Sequence, residues 1–333
     1  MLPDRPRWAR LPPPPVRTII TTAYAPYPAW MPLTAAVDGF RLAYDDHPGG
    51  AGPVVLLHGW PGDRHDWRGV VPLLAGRCRV VVPDLRGFGE SESAPGAEPG
   101  AFGGEGQARS VLALVEELAA GPAVLAGYDV GSRTARTVAA LRPDLVRALV
   151  LAPPLPGAGE RVLGPSPQRE FWYQAFHQLP LAEHLLDGSR PAVRSYLEHF
   201  WTHWSGPDFV PDPVELDRLA EAYARPGAFT ASINWYRAGA GTVAMAMREK
   251  PPAPVDRIAA PTTVLWPEHD PLFPREWSDR VDDWFADAQV RPIDGVGHFT
   301  PLEAPEAFAA AVLERVASRA ASSIDRRRTR SED

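Results

Sequence analysis

An aspartate held at a sharp turn can act as a nucleophile, and the stretch GYDVG offers Asp129 in that setting. The preceding residues, PAVLAG, are apolar and predict a strand, whereas SRTARTVAALRP continues as a helix. Asp129 therefore stands at a strand-to-helix turn, where Gly127 and Gly131 permit a tight bend that holds the central side chain proud of the sheet. Alone, the pattern is an ordinary turn, since glycine and aspartate are common in turns. Context changes its meaning. Asp270 follows the strand-like TTVLWPEH, and His298 follows RPIDGVG. Nucleophile, acid and histidine thus occur in an order that supports a triad, with His298 as general base and Asp270 orienting it. Upstream, HGWPGDRHDW follows the strand PVVLL, which brings the Trp60 main-chain N–H to the same edge. With the N–H of Val130 it makes a candidate oxyanion hole.

The choice of carboxylate limits the electrophile. Attack on an acyl carbon would give a high-energy anhydride, but attack on a saturated carbon gives an ester that water can later cleave. Epoxides and alkyl halides are the main candidates. An opened epoxide leaves an alkoxide that needs an O–H donor, whereas a departing halide needs N–H donors and no proton.

Such a site needs a sheet edge to carry it. The runs GFRLAYDD, PVVLLHGW, RVVVPDL, PAVLAGYD and VRALVLAPP are short, apolar and separated by helical patterns, as a parallel sheet covered on both faces requires. After Pro154 the pattern changes to helices dense in aromatics, until about Pro252; then PTTVLWPEHD and AQVRPIDGVGHF restore strands, and PEAFAAAVLERVAS closes with an amphipathic helix. The expected organisation is a proline-rich arm over 1–36, a first core segment over 37–154, a helical cap over 155–252, a second core segment over 253–320 and a disordered tail over 321–333. The cap would cover the carboxyl edge of the sheet, where open α/β sheets place ligands.

GYDVG, HGWP, DLRGFGES, PEHD and GVGHF together resemble the α/β-hydrolase fold superfamily with an aspartate nucleophile, and most of all its epoxide hydrolase family. The resemblance runs from roughly Asp38 to Ala320. It implies a doubly wound, mostly parallel eight-stranded sheet with an inserted cap. FWYQAFHQLPLAEHLL and AFTASINWYRAG resemble the cap segments that each supply a tyrosine hydroxyl to the epoxide oxygen, which implies that Tyr173 and Tyr236 are catalytic. His58, Pro61, Trp172, Phe176 and Trp235 are expected to contact substrate, with Phe171 as a further pocket residue. Aromatics in an aromatic-rich helix also serve as core, so packing is the competing account of all of these. The wealth of aromatics favours an apolar or aryl substituent on the epoxide.

Other functions fit less well. Haloalkane dehalogenases carry a tryptophan after the nucleophile, where this chain has Val130, and the paired arginines of fluoroacetate dehalogenases are reduced to Arg133. A dehalogenase stands as the alternative enzyme, and a non-enzymatic ligand-binding receptor on the same scaffold as the alternative of another class. His199 and His203 share a helical face, but two histidines without a third ligand make a weak metal site, and no metal or cofactor is expected. A net charge of -7 argues against nucleic acid as a partner. A hydrophobic share of 45% and a charged share of 23% describe a globular chain. No apolar run approaches membrane-spanning length, no signal peptide is evident, and Cys78 is the single cysteine, so a cytoplasmic protein acting in detoxification, and able to pair as a homodimer, is the expectation.

Overall fold

The computed structural model describes residues 32–118 and 121–329, with side chains through 318. Most of the expected arm lies outside this range.

Seven strands form one sheet in the order β1-β3-β2-β4-β5-β6-β7. They are β1 (Tyr44–His47), β2 (Gly49–Leu57), β3 (Gly76–Pro83), β4 (Ala123–Gly127), β5 (Val146–Leu151), β6 (Thr262–Pro267) and β7 (Ala288–Ile293). Only β1 is antiparallel to its neighbour; every other pair is parallel. The all-apolar runs fall at the centre: every residue of β4 and β6 is buried, as are the last five of β2. The edges differ. Strand β1 reads YDDH and β7 exposes Gln289 and Pro292, a composition that discourages further pairing at the sheet's open sides.

The eight strands implied by the sequence are seven among the described residues. The segment that would open the sheet, Leu33–Ala43, makes isolated bridges only. It folds back at Asp38 and Gly39, both at positive φ, with Val37 and Phe40 exchanging main-chain hydrogen bonds, so no ladder extends there. GFRLAYDD accordingly yields a strand only from Tyr44.

Helices cover both faces. Helices α1 (Val71–Leu74) and α2 (Gly104–Glu117) follow β2 and β3 in the chain, and α3 (Val130–Leu141) follows β4. Helix α3 packs on β2, β4 and β5 and pairs with α2. The last helix packs on the same three strands and pairs with α1.

Between β5 and β6 the chain inserts α4 (Pro165–Glu170), α5 (Trp172–Phe176), α6 (Pro180–Leu186), α7 (Arg190–His203), α8 (Pro213–Tyr223), α9 (Ala228–Arg237) and α10 (Thr242–Ala246). After β7 come α11 (Thr300–Glu303) and α12 (Pro305–Thr329). The charged segment expected to fray beyond 320 therefore continues as helix to Thr329; residues 330–333 lie outside the description.

The inserted helices grip the loop after β2 at successive residues. Trp201 Nε1 donates to the Pro61 carbonyl at 3.1 Å, the Tyr223 hydroxyl donates to the Gly62 carbonyl at 2.8 Å, and Arg218 clasps both oxygens of Asp63 at 2.8 and 2.9 Å. No helix among the described residues is long and apolar enough to cross a membrane.

Candidate active site

The tightness of the turn at Asp129 follows from its glycines. A β-carbon on Gly131 would stand 2.0 Å from the Leu57 carbonyl oxygen, and one on Gly127 would stand 2.6 Å from the Gly131 carbonyl carbon, so α3 approaches the strands as closely as main chain allows. Asp129 takes φ 49° and ψ -121°, a conformation that L side chains rarely adopt. It caps α3 by position, but its carboxylate makes no bond to its own helix. Instead, Oδ1 accepts the Trp60 amide at 2.8 Å. The Val130 amide, first of α3, belongs to the turn whose N–H groups have no acceptor within the helix. Both expected oxyanion donors thus flank Asp129 by position, and one already bonds its carboxylate.

His298 completes the constellation. Its Nδ1 lies 2.9 Å from Oδ2 of Asp270, and its Nε2 lies 3.5 Å from Oδ2 of Asp129. Asp270 is itself fixed by amides, with Oδ1 accepting from Leu272 at 2.8 Å and Phe273 at 3.3 Å. All three side chains are buried. Burial by itself would push the imidazolium down, yet the charge of Asp270 and the hydrogen bonds to Asp129 and Asp270 outweigh it, raising His298 to about 10.

Tyr173 and Tyr236 come to the same place from α5 and α9. Trp60 links them: its ring stacks on Tyr173 at 5.4 Å and meets Tyr236 edge-on at 5.7 Å, and the two tyrosine rings stand perpendicular at 5.5 Å. Burial raises both hydroxyls above the ordinary range. The negative charge of Asp129 raises them further, and each hydroxyl acts on the other as a hydrogen-bond partner. Gln174 Nε2 donates to the Tyr173 oxygen at 3.1 Å.

The residues expected to touch substrate divide. Pro61, Phe171 and Trp235 are buried. Trp172 is 42% exposed and stacks on Phe200 away from Tyr173, and Phe176 is only half-buried. They face outward because α5 turns Tyr173 and His177 inward, one helical turn apart. His58 is buried but committed to main chain: Leu85 N donates to its Nε2 at 3.0 Å, and its Nδ1 meets the Gly59 carbonyl at 3.0 Å. It fixes the loop that carries Trp60 and has no nitrogen left for substrate.

Arg133 is likewise committed, to Thr242 at 3.2 Å and to Glu249 at 3.3 Å. His203 pairs with Glu170 at 2.7 Å, and His199 stacks on His203. No cluster of three or more metal-ligating side chains occurs among the described residues.

Three residues of the site escaped the sequence reading. His177 packs against Trp60 and Tyr236 at 4.9 and 4.8 Å; its spacing of four from Tyr173 was the available signal. Trp204 lies 5.1 Å from Tyr173 and 5.2 Å from His298, and its carbonyl accepts the His298 amide at 2.7 Å. Glu303 accepts the amides of Gly206 and Gly297 at 2.7 Å each and that of Phe299 at 3.0 Å, tying the histidine loop to the insertion. Nothing in the sequence around Trp204 or Glu303 marks either.

The family model for the alpha/beta hydrolase fold matches residues 52–305, and the chain belongs to that family, as an enzyme of the hydrolase class. Among its relatives is a soluble epoxide hydrolase of Corynebacterium sp. (strain C12), 28% identical over 82% of this chain and 92% of the relative. A fluoroacetate dehalogenase of Burkholderia sp. is 31% identical over 59% of this chain and 65% of its own length. The structure of epoxide hydrolase CorEH superposes with a TM-score of 0.73 at 25% identity, covering 86% of this chain and 99% of that one.

Proposed function

We propose that the enzyme opens epoxides to vicinal diols through an ester on Asp129. The observation that carries this reading is the pair of buried tyrosines, Tyr173 and Tyr236, whose rings meet at 5.5 Å and both pack on Trp60, the residue whose amide holds Asp129. The resemblance to the soluble epoxide hydrolase supports it. A haloacid substrate would need a free cation for its carboxylate, and Arg133 is occupied by Glu249 and Thr242.

In this mechanism Oδ1 of Asp129 stays with the Trp60 amide while Oδ2 attacks a ring carbon. The carbon–oxygen bond breaks, its electron pair moves to the ring oxygen, and that oxygen takes a proton from one tyrosine. Esterification removes the negative charge of Asp129, which had raised both tyrosines and His298. Proton donation by tyrosine and base action by His298 therefore become easier at the same step. The His298 imidazolium returns its proton to that tyrosinate, and the neutral ring then takes a proton from water, whose oxygen attacks Cγ of Asp129. The resulting oxyanion rests on the Trp60 and Val130 amides; its collapse breaks the ester bond, the departing diol oxygen takes the proton from His298, and the Asp129 carboxylic acid so formed passes its own proton back to the ring. The inserted helices serve as the cap that excludes bulk water. Cys78, buried and free, is compatible with the reducing cytoplasm in which we place the enzyme.

A single turnover in heavy-oxygen water tests the ester. One labelled oxygen is expected in the Asp129 carboxylate and none in the first diol released; label in the diol alone would exclude the mechanism.

A further inference from the structure

Two nitrogens in the aromatic wall have no assigned work. Trp60 Nε1 and His177 Nδ1 are each fully buried and find no hydrogen-bond partner among the described residues. Their rings meet edge-on at 4.9 Å. Both adjoin the tyrosine pair, Trp60 by stacking on Tyr173, and His177 by lying 4.8 Å from Tyr236 and 5.6 Å from Tyr173. The other nitrogen of His177 is engaged with the Tyr196 hydroxyl at 3.0 Å, which sets the tilt of the ring. Burial, reinforced by the charge of Arg237, keeps His177 well below its ordinary range, so the ring is neutral. The subsite calls for the tautomer in which Tyr196 donates to Nε2 and the ring proton resides on Nδ1.

Native proteins leave few buried donors unpaired, and two in one wall beside the groups that would handle the reacting oxygen invite a shared acceptor. An anion is a poor one, because the Asp129 carboxylate occupies the same site. We propose that Trp60 Nε1 and His177 Nδ1 form an acceptor subsite that recognises an uncharged ether or hydroxyl oxygen carried next to the epoxide ring. This assignment rests on the epoxide reading and narrows its substrates from simple aryl or alkyl epoxides to oxygen-substituted ones.

Phenyl glycidyl ether and phenethyl oxirane test it, since they differ by one ether oxygen against one methylene. The wild-type enzyme is expected to favour the ether by about tenfold or more in kcat/KM, the scale of one well-made hydrogen bond in a buried site. His177→Phe and Trp60→Phe, which remove one N–H each, are expected to bring the ratio towards one. A wild-type ratio near one, or a tenfold ratio that survives both substitutions, overturns the subsite, and the wild-type value decides if neither variant folds.

Quenching of tryptophan fluorescence by the two corresponding diols supplies a second arm that needs no turnover. Diol formed from both epoxides without discrimination removes the subsite and leaves the epoxide reading intact. Tighter, His177-dependent binding of the ether diol with no turnover of either epoxide supports the subsite and removes the reading.

Discussion

The Trp60 amide donates to Oδ1 of Asp129 at 2.8 Å in the resting enzyme. In the proposed mechanism the donor for the later oxyanion is therefore already on the carboxylate, and the two oxygens are sorted: Oδ1 held by the amide, Oδ2 facing His298 and left to attack. Asp129→Ala is expected to lower kcat by about 10⁴-fold or more, because no neighbouring group can form the ester. Diol assays in enzyme excess check this, and turnover within about tenfold of wild type would remove Asp129 from the chemistry.

His298 gives a pH signature with a definite sign. Its folded value, about 10, lies above the ordinary 6.5. The stabilisation it contributes is therefore complete below 6.5 and is lost as pH rises through about 10. Thermal midpoints are expected to fall across that alkaline window. In Asp129→Asn, with one carboxylate gone, the fall should end at lower pH and be smaller. Identical profiles for the two proteins would show that Asp129 does not hold the imidazolium.

Tyr173→Phe and Tyr236→Phe each keep the ring and remove the donor. Each is expected to reduce kcat/KM for epoxides by roughly 10²-fold, and the double variant by more, as loss of general-acid assistance requires. Circular dichroism and thermal melts separate this from misfolding. A double variant within about threefold of wild type would leave the tyrosines as packing only.

Arg133 is expected to give no carboxylate grip while Glu249 and Thr242 hold it. Chloroacetate and fluoroacetate should then yield no halide above background by ion chromatography. Steady halide release without diol formation from any epoxide would move the enzyme to the dehalogenases.

Glu303 serves three main-chain amides from two loops with one carboxylate. Glu303→Gln turns one oxygen into a donor facing donors, and is expected to destabilise the fold by about 2–3 kcal/mol. It should also slow kcat through a displaced His298, with KM less affected. Denaturant melts and steady-state kinetics read the two effects separately.

The grouping of Asp129, Asp270 and His298 was legible because all three sit where strand patterns end: β-branched runs announce the strands, and the residues just beyond them must lie at one edge of a parallel sheet. Asp129, Asp270 and His298 all meet there, as does Trp60. Exposure within the insertion was not legible. Trp172 and Tyr173 are neighbours in a short aromatic helix, and only the direction in which α5 is rolled makes one exposed and the other buried. His58 misled for a related reason, since a histidine beside the nucleophile loop is chemically suited to substrate and equally suited to two main-chain bonds. Glu303 was hidden because the amides it serves belong to loops whose meeting is a tertiary fact.

The backbone of Asp129 carries one more implication. A residue at φ 49° and ψ -121° is strained unless it is glycine. Asp129→Gly should therefore be more stable than Asp129→Ala by about 1–2 kcal/mol, although neither can form the ester. In the proposed mechanism the turn is a place where stability and reactivity are opposed: glycine would make the sturdier fold and an inert protein, and the carboxylate is the costlier choice that turnover requires.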